Sequence, residues 1–323
     1  MIKIENLVKR YGDKTAVDGI SFTVEEGEIV GFLGPNGAGK TTTMSILTGF
    51  LSSTEGVAEI NGIDILENPI EAKKQIGYLP ELPPLYLEMT VKEYLNFIYD
   101  LKNCKLNRAK HLKEICDTVK ISDVYNRVIR NLSKGYRQRV GIAQALVGNP
   151  KVIIFDEPTV GLDPKQIIEI RNLIKDLGKN HTVILSTHIL PEVQAVCDRI
   201  IIINKGKIVA NEKTENINNL FSGNRRMCVK VCGPAKEILN TIKGITGVTY
   251  AEIMGSNDLD STSFLVESAP GLDIRKMLFN AMAAKSWAII GFESMGANLE
   301  DIFVSVVDEP QEAATGKKKK SAR

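Results

Sequence analysis

Residues 34–41 read Gly-Pro-Asn-Gly-Ala-Gly-Lys-Thr and match the spacing G-x-x-x-x-G-K-[ST]. The run before them, Glu28 to Leu33, is predicted to form a short buried strand, and the run after them, Lys40 to Leu47, a helix. Glycines let the backbone curl so that its N–H groups point inwards, and a helix N-terminus adds partial positive charge. Strand, loop and helix together predict a phosphate-binding loop (P-loop) rather than a glycine-rich turn with a stray lysine.

Two side chains of the P-loop have predicted roles. Lys40 is expected to reach the β- and γ-phosphates of a nucleotide, and the Thr41 hydroxyl is expected to hold Mg²⁺. The residues of this loop that are expected to bind the nucleotide are Gly34, Pro35, Asn36, Gly37, Ala38, Gly39, Lys40, Thr41 and Thr42.

A pair of acids follows an apolar run further along the chain. Val152 to Phe155 is predicted to form a central parallel strand, and Asp156 and Glu157 come directly after it. Since open α/β sheets bind ligands at the carboxyl ends of their strands, these acids are expected beside the P-loop. Asp156 is then expected to hold Mg²⁺ through water, and Glu157 to act as general base on the attacking water. A pair of surface acids after a strand is the alternative.

Composition and length place the chain among ordinary globular proteins. Its 323 residues suffice for two domains, and 43% of them are hydrophobic and 25% charged. No apolar stretch approaches the roughly 18 residues that span a bilayer, and the N-terminus lacks the pattern of a signal peptide. Five cysteines fit a reducing compartment, and three dispersed histidines are too few for a metal cluster. We therefore expect a cytoplasmic protein that reaches a membrane only by docking on it.

The charge is unevenly distributed along the chain. The net charge is +2, and residues 309–323 carry two acids against five bases. The remaining residues are close to neutral, so that neither a basic nucleic-acid-binding domain nor a nucleic-acid partner is expected. The basic tail 309–323 has no apolar periodicity and is predicted to be disordered. It is expected to be solvated, with contact to anionic lipid as the alternative.

Strand-like and helix-like runs alternate over residues 1–222, which predicts an α/β domain with a largely parallel sheet. A helical insertion is expected at about residues 85–146, where Thr90 to Glu93 is typical of a capping box. Antiparallel-type strands that flank the core are predicted at Ile2 to Tyr11, Ile20 to Val24 and Gly56 to Asn61.

Residues 223–308 predict a second domain. Its runs follow the order strand, helix, strand, strand, helix, strand, with a closing helix at Leu299 to Val307. A further helix, Thr214 to Phe221, is expected to lead into it. The predicted fold class is thus an α/β P-loop core with a helical insertion, plus a small ferredoxin-like α+β C-terminal domain.

Seven motifs occur in a fixed order along the chain. They are Tyr11, the P-loop at 34–42, Ile76-Gly77-Tyr78-Leu79-Pro80-Glu81, Leu132-Ser133-Lys134-Gly135-Tyr136-Arg137-Gln138-Arg139, Asp156-Glu157, Gly161-Leu162-Asp163-Pro164 and Ser186-Thr187-His188. In this order they resemble the motifs of the ATP-binding subunits of ABC transporters. The fourth motif resembles the family signature, and the third resembles the loop that joins the core to the helical insertion.

The resemblance implies that two such subunits stack head to tail with two ATP molecules between them. Tyr11 would stack on the adenine, and His188 would be a catalytic residue that faces the γ-phosphate and the attacking water. Ser133 and the Gly135 N–H would bind the γ-phosphate held by the other subunit's P-loop. Asp163 would bridge the two subunits near the sites.

Three positions depart from the family pattern. Lys134 replaces the first glycine of the usual L-S-G-G-Q signature, Tyr136 replaces its glutamine, and Glu81 replaces a glutamine of the joining loop. Ser133 and Gly135 remain, so the phosphate clamp is expected to survive. The carboxylate of Glu81 can still meet Mg²⁺ or its water. These variants resemble a subgroup that serves type-2 ABC exporters, including the gliding-motility ATP-binding proteins.

The resemblance implies an ATPase subunit that dimerises on ATP and drives a separate membrane permease, in export. A homodimer is expected because the P-loop and the signature are both intact, and a heterodimer with a similar subunit is the alternative. The permease's cytoplasmic helix would dock on the helical insertion and the Glu81 loop. The chain would then lie peripherally on the inner face of the cell membrane.

Other functions fit less of the sequence. A soluble ABC ATPase that acts on ribosomes or another macromolecule usually has two nucleotide domains, whereas this chain has one. A chromosome- or repair-type ATPase needs a long coiled coil between P-loop and signature. A P-loop kinase or GTPase leaves the signature and His188 unexplained. A polysaccharide exporter whose C-terminal domain binds glycan would have a sandwich of many strands there.

Overall fold

The computed structural model describes residues 1–216, 225–258, 261–269 and 272–295. The chain divides into two compact units, Met1–Thr214 and a second unit that begins at Glu215. The predicted closing helix Leu299 to Val307, the basic tail and most of the predicted helix after Thr214 lie outside the described residues. Among the residues described, no helix is long and apolar enough to cross a bilayer.

The first unit contains ten strands and seven α-helices within its described residues. The strands are β1 (Ile2–Tyr11), β2 (Lys14–Val24), β3 (Ile29–Leu33), β4 (Glu55–Ile60), β5 (Ile63–Asp64), β6 (Ile76–Leu79), β7 (Val152–Asp156), β8 (Thr182–Thr187), β9 (Arg199–Asn204) and β10 (Lys207–Lys213). The helices are α1 (Lys40–Leu47), α2 (Pro69–Lys74), α3 (Val91–Leu101), α4 (Arg108–Val119), α5 (Lys134–Leu146), α6 (Pro164–Gly178) and α7 (Leu190–Val196).

A six-stranded sheet organises this unit, in the order β10-β9-β3-β8-β7-β6. Its neighbouring strands are parallel except for the pair β9 and β10. Every residue of β3, β7 and β8 is buried, as expected for strands that are covered on both faces. The parallel arrangement brings the carboxyl ends of β3, β6, β7 and β8 to one edge of the sheet.

A second, antiparallel sheet has the order β2-β1-β4-β5. Its apolar side chains share one core with β3 and α1, and the rings of Phe22 and Phe32 lie 5.5 Å apart there. The predicted antiparallel strands are therefore present, although β2 begins at Lys14 rather than at Ile20.

The helical insertion consists of α3, α4 and α5. The capping box predicted at its start is confirmed, because Thr90 Oγ1 accepts from Glu93 N at 3.2 Å and Glu93 Oε2 accepts from Thr90 N at 2.8 Å.

One motif predicted to be a loop is largely a strand. Ile76–Leu79 forms β6, the edge of the parallel sheet, and pairs with β7. The parallel pairing with β7 makes this segment the edge strand of the sheet. Gly77 fits there because a Cβ would collide with the backbone of Ala145. Only Pro80 and Glu81 continue beyond the strand as the joining loop.

The second unit contains β11 (Arg225–Cys232), α8 (Ala235–Lys243), β12 (Val248–Asp258), β13 (Ser261–Ser268), α9 (Arg275–Ala283) and β14 (Ile289–Met295). The four strands are antiparallel, in the order β12-β13-β11-β14. Side chains from both helices join alternate strand residues in one core that includes Val229, Phe264, Ile238 and Leu278. This is the strand order of a ferredoxin-like fold, as the sequence predicts.

Candidate active site

Four strand ends converge on the candidate site. The P-loop follows β3, Glu81 lies two residues after β6, Glu157 follows β7, and His188 follows β8. These strands are parallel neighbours, so the segments that follow them emerge together at the carboxyl edge of the sheet. Residues that are far apart in sequence are thereby brought into one place.

A cavity of about 620 Å³ lies at this edge. Most of its lining residues are polar or charged, which suits a phosphorylated ligand. It is lined by Tyr11, Lys14, Ala16, Asn36, Gly37, Gly39, Lys40, Thr41, Thr42, Glu81, Glu157, Val160 and His188.

The P-loop packs so closely against β2 and β9 that two of its glycines have no room for a side chain. A Cβ on Gly39, where φ is +112°, would lie 2.6 Å from Ala16 O. A Cβ on Gly34 would lie 2.5 Å from Ile203 O. Gly39 is also the N-cap residue of α1, and as a glycine it leaves the first N–H groups of the helix uncapped by its own side chain. The loop thus has the form of an anion-binding turn.

Lys40 is buried and directed by the loop itself. Its Nζ donates to Gly34 O at 2.8 Å and to Pro35 O at 3.2 Å, and lies 3.7 Å from Glu157 Oε1. Burial lowers the pKa of the Lys40 ammonium, while the carboxylates of Glu157 and Asp156 act in the opposite direction. A bound polyphosphate would supply further negative charge that favours the ammonium form.

Glu157 is held in a strained conformation by several partners. Its φ is +49°, which is rare for a residue other than glycine, and it is only 7% exposed. Its Oε1 lies 2.9 Å from His188 Nδ1, and its Oε2 accepts from Thr187 Oγ1 at 3.2 Å. Strain of this kind persists where the surroundings fix the residue, which is common at active sites.

Asp156 is a buried acid at the end of β7, and one of its carboxylate oxygens lacks a hydrogen-bond partner among the described residues. It is 1% exposed, and its Oδ1 has no hydrogen-bond partner among the described residues. Burial raises the pKa of the Asp156 carboxyl, which the hydroxyls of Ser186 and Thr41 oppose. A cation close to Asp156 would compensate this oxygen, so that the residues present fit Mg²⁺.

The protein alone does not form a metal cage here. Within the described ranges, no group of three or more His, Cys, Asp or Glu side chains could hold a metal ion. Mg²⁺ commonly uses one or two protein ligands and completes its shell with water and substrate phosphates. Asp156 and the Thr41 hydroxyl fit that pattern.

The far end of the cavity carries Tyr11 and Lys14. The Tyr11 ring is exposed, and Lys9 Nζ lies 5.3 Å from its centroid. An exposed ring at this end is free to stack on a base.

Seven predicted site residues are not among those that line the cavity: Gly34, Pro35, Ala38, Ser133, Gly135, Asp156 and Asp163. Of these, Ser133, Gly135 and Asp163 lie at the starts of α5 and α6. Ser133 is the N-cap of α5, where its Oγ accepts from Tyr136 N at 3.4 Å. Asp163 is the N-cap of α6, where its Oδ1 accepts from Gln166 N at 3.0 Å. Gly135 is buried against Gln166, and a Cβ there would lie 2.6 Å from Gln166 Cδ. The structure therefore separates the signature from the P-loop of the same chain.

The sequence does not reveal the roles of two side chains that hold the segments next to Glu157 in the fold. Glu192 is buried in the first turn of α7 and accepts from the hydroxyls of Thr159 and Thr187. Gln138 Nε2 donates to Pro158 O at 2.8 Å. Gln138 lies within the motif that resembles the family signature, and Glu192 lies four residues after His188. Neither position indicates these contacts.

Comparison with known proteins matches the chain to an established family. The model of the ABC transporter family matches residues 17–160. The uncharacterized ABC transporter ATP-binding protein YxlF of Bacillus subtilis is 32% identical over 313 residues, which cover 95% of this chain and 99% of YxlF. The lipopolysaccharide export system ATP-binding protein LptB of Haemophilus influenzae is 37% identical over 224 residues, covering 68% of this chain and 93% of LptB.

A solved structure gives the same result for the fold. The dimeric structure of a post-hydrolysis state of the ATP-binding cassette MJ0796, bound to ADP and Pi, is similar with a TM-score of 0.60 and 29% identity. The similarity covers 66% of this chain and 99% of that cassette. The predicted α/β P-loop fold is thereby confirmed.

Proposed function

Since the chain belongs to the ABC transporter family of ATP-binding ATPases, we propose that it dimerises on ATP and drives a separate membrane permease, in export. The observation that carries this proposal is the cavity at the carboxyl edge of the sheet, where the P-loop, Glu157 and His188 meet. The likeness to an export-system ATP-binding protein supports the direction of transport. Lys134, Tyr136 and Glu81 support the type-2 exporter subgroup, with its resemblance to gliding-motility ATP-binding proteins.

In this proposal ATP occupies the cavity with its base towards Tyr11 and its phosphates in the P-loop. The N–H groups of the loop and the Lys40 ammonium bind the β- and γ-phosphates. Asp156, the Thr41 hydroxyl and Glu81 hold Mg²⁺ directly or through water. When bound, Mg²⁺ neutralises charge on the phosphate oxygens.

Glu157 and His188 carry the hydrolytic step. The Glu157 carboxylate accepts a proton from the attacking water, and His188 orients the γ-phosphate and that water. The contact of 2.9 Å between His188 Nδ1 and Glu157 Oε1 supports these roles, because it holds the base before the nucleotide binds.

Ser133, Gly135 and Asp163 act across a dimer. They lie outside the cavity of their own chain, at the start of α5 and α6. Ser133 Oγ accepts a hydrogen bond from Tyr136 N. The hydroxyl proton of Ser133 therefore remains available to donate to a phosphate oxygen of the ATP bound by the second subunit. One chain carries both halves of the site, which favours a homodimer over a heterodimer with a similar subunit.

The permease docks on the helical insertion and on the loop that carries Glu81. Apolar side chains are exposed there: Leu82 is 82% exposed and Leu101 68%, and the rings of Tyr86 and Phe97 lie 5.4 Å apart. Such exposed apolar side chains fit a helix of a partner protein. In this arrangement the chain lies peripherally on the inner face of the cell membrane.

We assign residues 1–222 to the nucleotide-binding domain and 223–308 to an accessory domain that helps dimerisation.

The test uses Glu157→Gln, tagged and expressed in its host. This variant binds ATP but does not complete hydrolysis, so it accumulates as a closed dimer. After gentle solubilisation with ATP, mass spectrometry is expected to identify a polytopic membrane protein. Lys40→Ala, which lacks the phosphate ligand, is the matched control and should recover less of that partner. Recovery of ribosomal proteins, or of no membrane protein, would favour a soluble ABC ATPase instead.

A further inference from the structure

Glu192 is a buried carboxylate beside the candidate active site that none of the roles above uses. It lies in the first turn of α7 and is 1% exposed. Its Oε1 accepts from Thr159 Oγ1 at 2.6 Å and lies 3.6 Å from Arg171 Nη2. Its Oε2 accepts from Thr187 Oγ1 at 3.2 Å. Two hydroxyls and one guanidinium thus compensate its burial.

The Thr187 hydroxyl lies between two carboxylates. Its Oγ1 is 3.2 Å from Glu192 Oε2 and 3.2 Å from Glu157 Oε2, and it accepts from Ile189 N at 3.2 Å. A hydroxyl has a single proton to donate, so the two carboxylates share or compete for one donor. The orientation of the Glu157 carboxylate therefore depends on how Glu192 holds Thr187.

Glu192 also fixes the segment that follows Glu157. Thr159 is buried, and its carbonyl accepts from Leu162 N at 3.2 Å, in the turn that leads to Asp163. One side chain on α7 therefore joins the end of β8 to the loop after β7. Both of these segments contribute lining residues to the cavity, whereas Glu192 itself is not among them.

We propose that Glu192 is a positioning residue that holds Thr159 and Thr187 and thereby fixes the Glu157 carboxylate for hydrolysis. The proposal rests on the proposed function, which gives Glu157 the role of general base. Because Glu192 does not line the cavity, its loss should slow the chemical step without weakening ATP binding.

The experiment compares full-length wild type with Glu192→Gln, which retains the size of the side chain and removes its charge. ATPase turnover is measured together with ATP affinity by calorimetry. We expect kcat to fall by about 10- to 100-fold and the Kd for ATP to stay within about twofold. Glu71→Gln is the control, because Glu71 pairs with Lys74 at 2.6 Å on the exposed side of α2 and lies outside the cavity lining. It should leave both values unchanged.

A second pair of variants tests the role of the Thr187 hydroxyl, which lies between Glu192 and Glu157, without changing Glu192. Thr187→Val should lower kcat to a similar extent, and Thr187→Ser, which keeps the hydroxyl, should restore most of the loss. The double variant Glu192→Gln/Thr187→Val should be no slower than the slower single variant, because both changes break one chain of contacts. The comparison of Thr187→Val with Thr187→Ser remains valid even if Glu192→Gln does not fold.

Three results would overturn the proposal. They are normal turnover in folded Glu192→Gln, multiplicative losses in the double variant, or a Thr187→Ser variant as slow as Thr187→Val. Full turnover in Glu157→Gln would instead refute the proposed role of Glu157, so that the two failures can be told apart.

Discussion

At the residue scale, the site depends on backbone conformations that ordinary side chains rarely adopt. Gly39 has φ +112° at the start of α1, and Glu157 has φ +49° at the end of β7. The glycine has no alternative, because a Cβ would meet Ala16 O. Glu157 instead retains its conformation through contacts with Lys40, Thr187 and His188. The proposed phosphate binding and proton transfer would thus depend on two residues with unusual backbone conformations.

Gly39→Ala should lose ATP binding, because the new Cβ forces the P-loop away from Ala16. Gly12→Ala is the matched control: its φ is also positive, at +57°, but a Cβ there meets nothing within 4 Å. The control should cost about 1 kcal/mol of stability and leave binding intact. Calorimetric titration with ATP measures the difference. Equal affinities in the two variants would contradict the steric explanation.

Asp156→Asn should weaken the response to Mg²⁺. The substitution removes the negative charge that would balance Mg²⁺. The Mg²⁺ concentration for half-maximal turnover should therefore rise about tenfold or more. Asp176→Asn, on the exposed side of α6 where it pairs with Lys179, is the control and should behave as wild type. Turnover is measured across a Mg²⁺ titration that begins in chelator. If the Mg²⁺ concentration for half-maximal turnover did not change, Asp156 would not be a ligand of the proposed metal site.

At the element scale, α3 is tied to α5 within the helical insertion by a half-buried lysine. Lys102, directly after α3, donates to the carbonyls of Gln144 and Ala145 at 3.2 Å and of Val147 at 2.9 Å. These carbonyls at the end of α5 have few other donors within reach. Since α5 begins at the signature, Lys102 links the proposed permease-docking region to the helix that is proposed to contact the second ATP.

Lys102 should make stability depend on pH. Burial lowers its pKa from 10.5 to about 8. Between these values the unfolded chain keeps the proton that the folded chain has lost, so the free energy of unfolding rises with pH. Lys102→Met should lack this rise, and at pH 7 it should be less stable by about 1–3 kcal/mol because three carbonyls lose their donor. Denaturant unfolding at two pH values measures both effects.

Lys110→Met provides the control, since Lys110 is exposed on α4. It should follow the pH dependence of the wild type. A Lys102→Met variant that keeps the full rise would show that another group is responsible.

The elements that the sequence predicts well are those with a strong local pattern. The P-loop is contiguous in sequence, and β7 is an apolar run that ends at Asp156 and is followed by Glu157. Both can therefore be recognised from the sequence alone. β6 was predicted as part of a loop because the motif Ile76 to Glu81 resembles the family's joining loop. Its pairing with β7 becomes evident only in the folded sheet. Glu192 escaped prediction because Thr159 precedes it by 33 residues, and only the sheet brings the two together.

At the scale of the whole molecule, each chain carries two half-sites that do not meet. The P-loop, Glu157 and His188 line one cavity, while Ser133 and Gly135 lie apart from it. Under the proposed function, a working site requires a second chain, so that ATP would be both the substrate and part of the interface.

Mixing two inactive variants tests this arrangement. Ser133→Arg should block closure of the dimer while the monomer still binds ATP, and Lys40→Ala should abolish ATP binding in its own P-loop. In a mixed dimer, the intact P-loop of the first variant faces the intact signature of the second. One site is then complete, and turnover should reappear on mixing to at most about half of the wild-type value. If Ser133→Arg instead prevented ATP binding by the isolated monomer, Ser133 would belong to the cavity of its own chain.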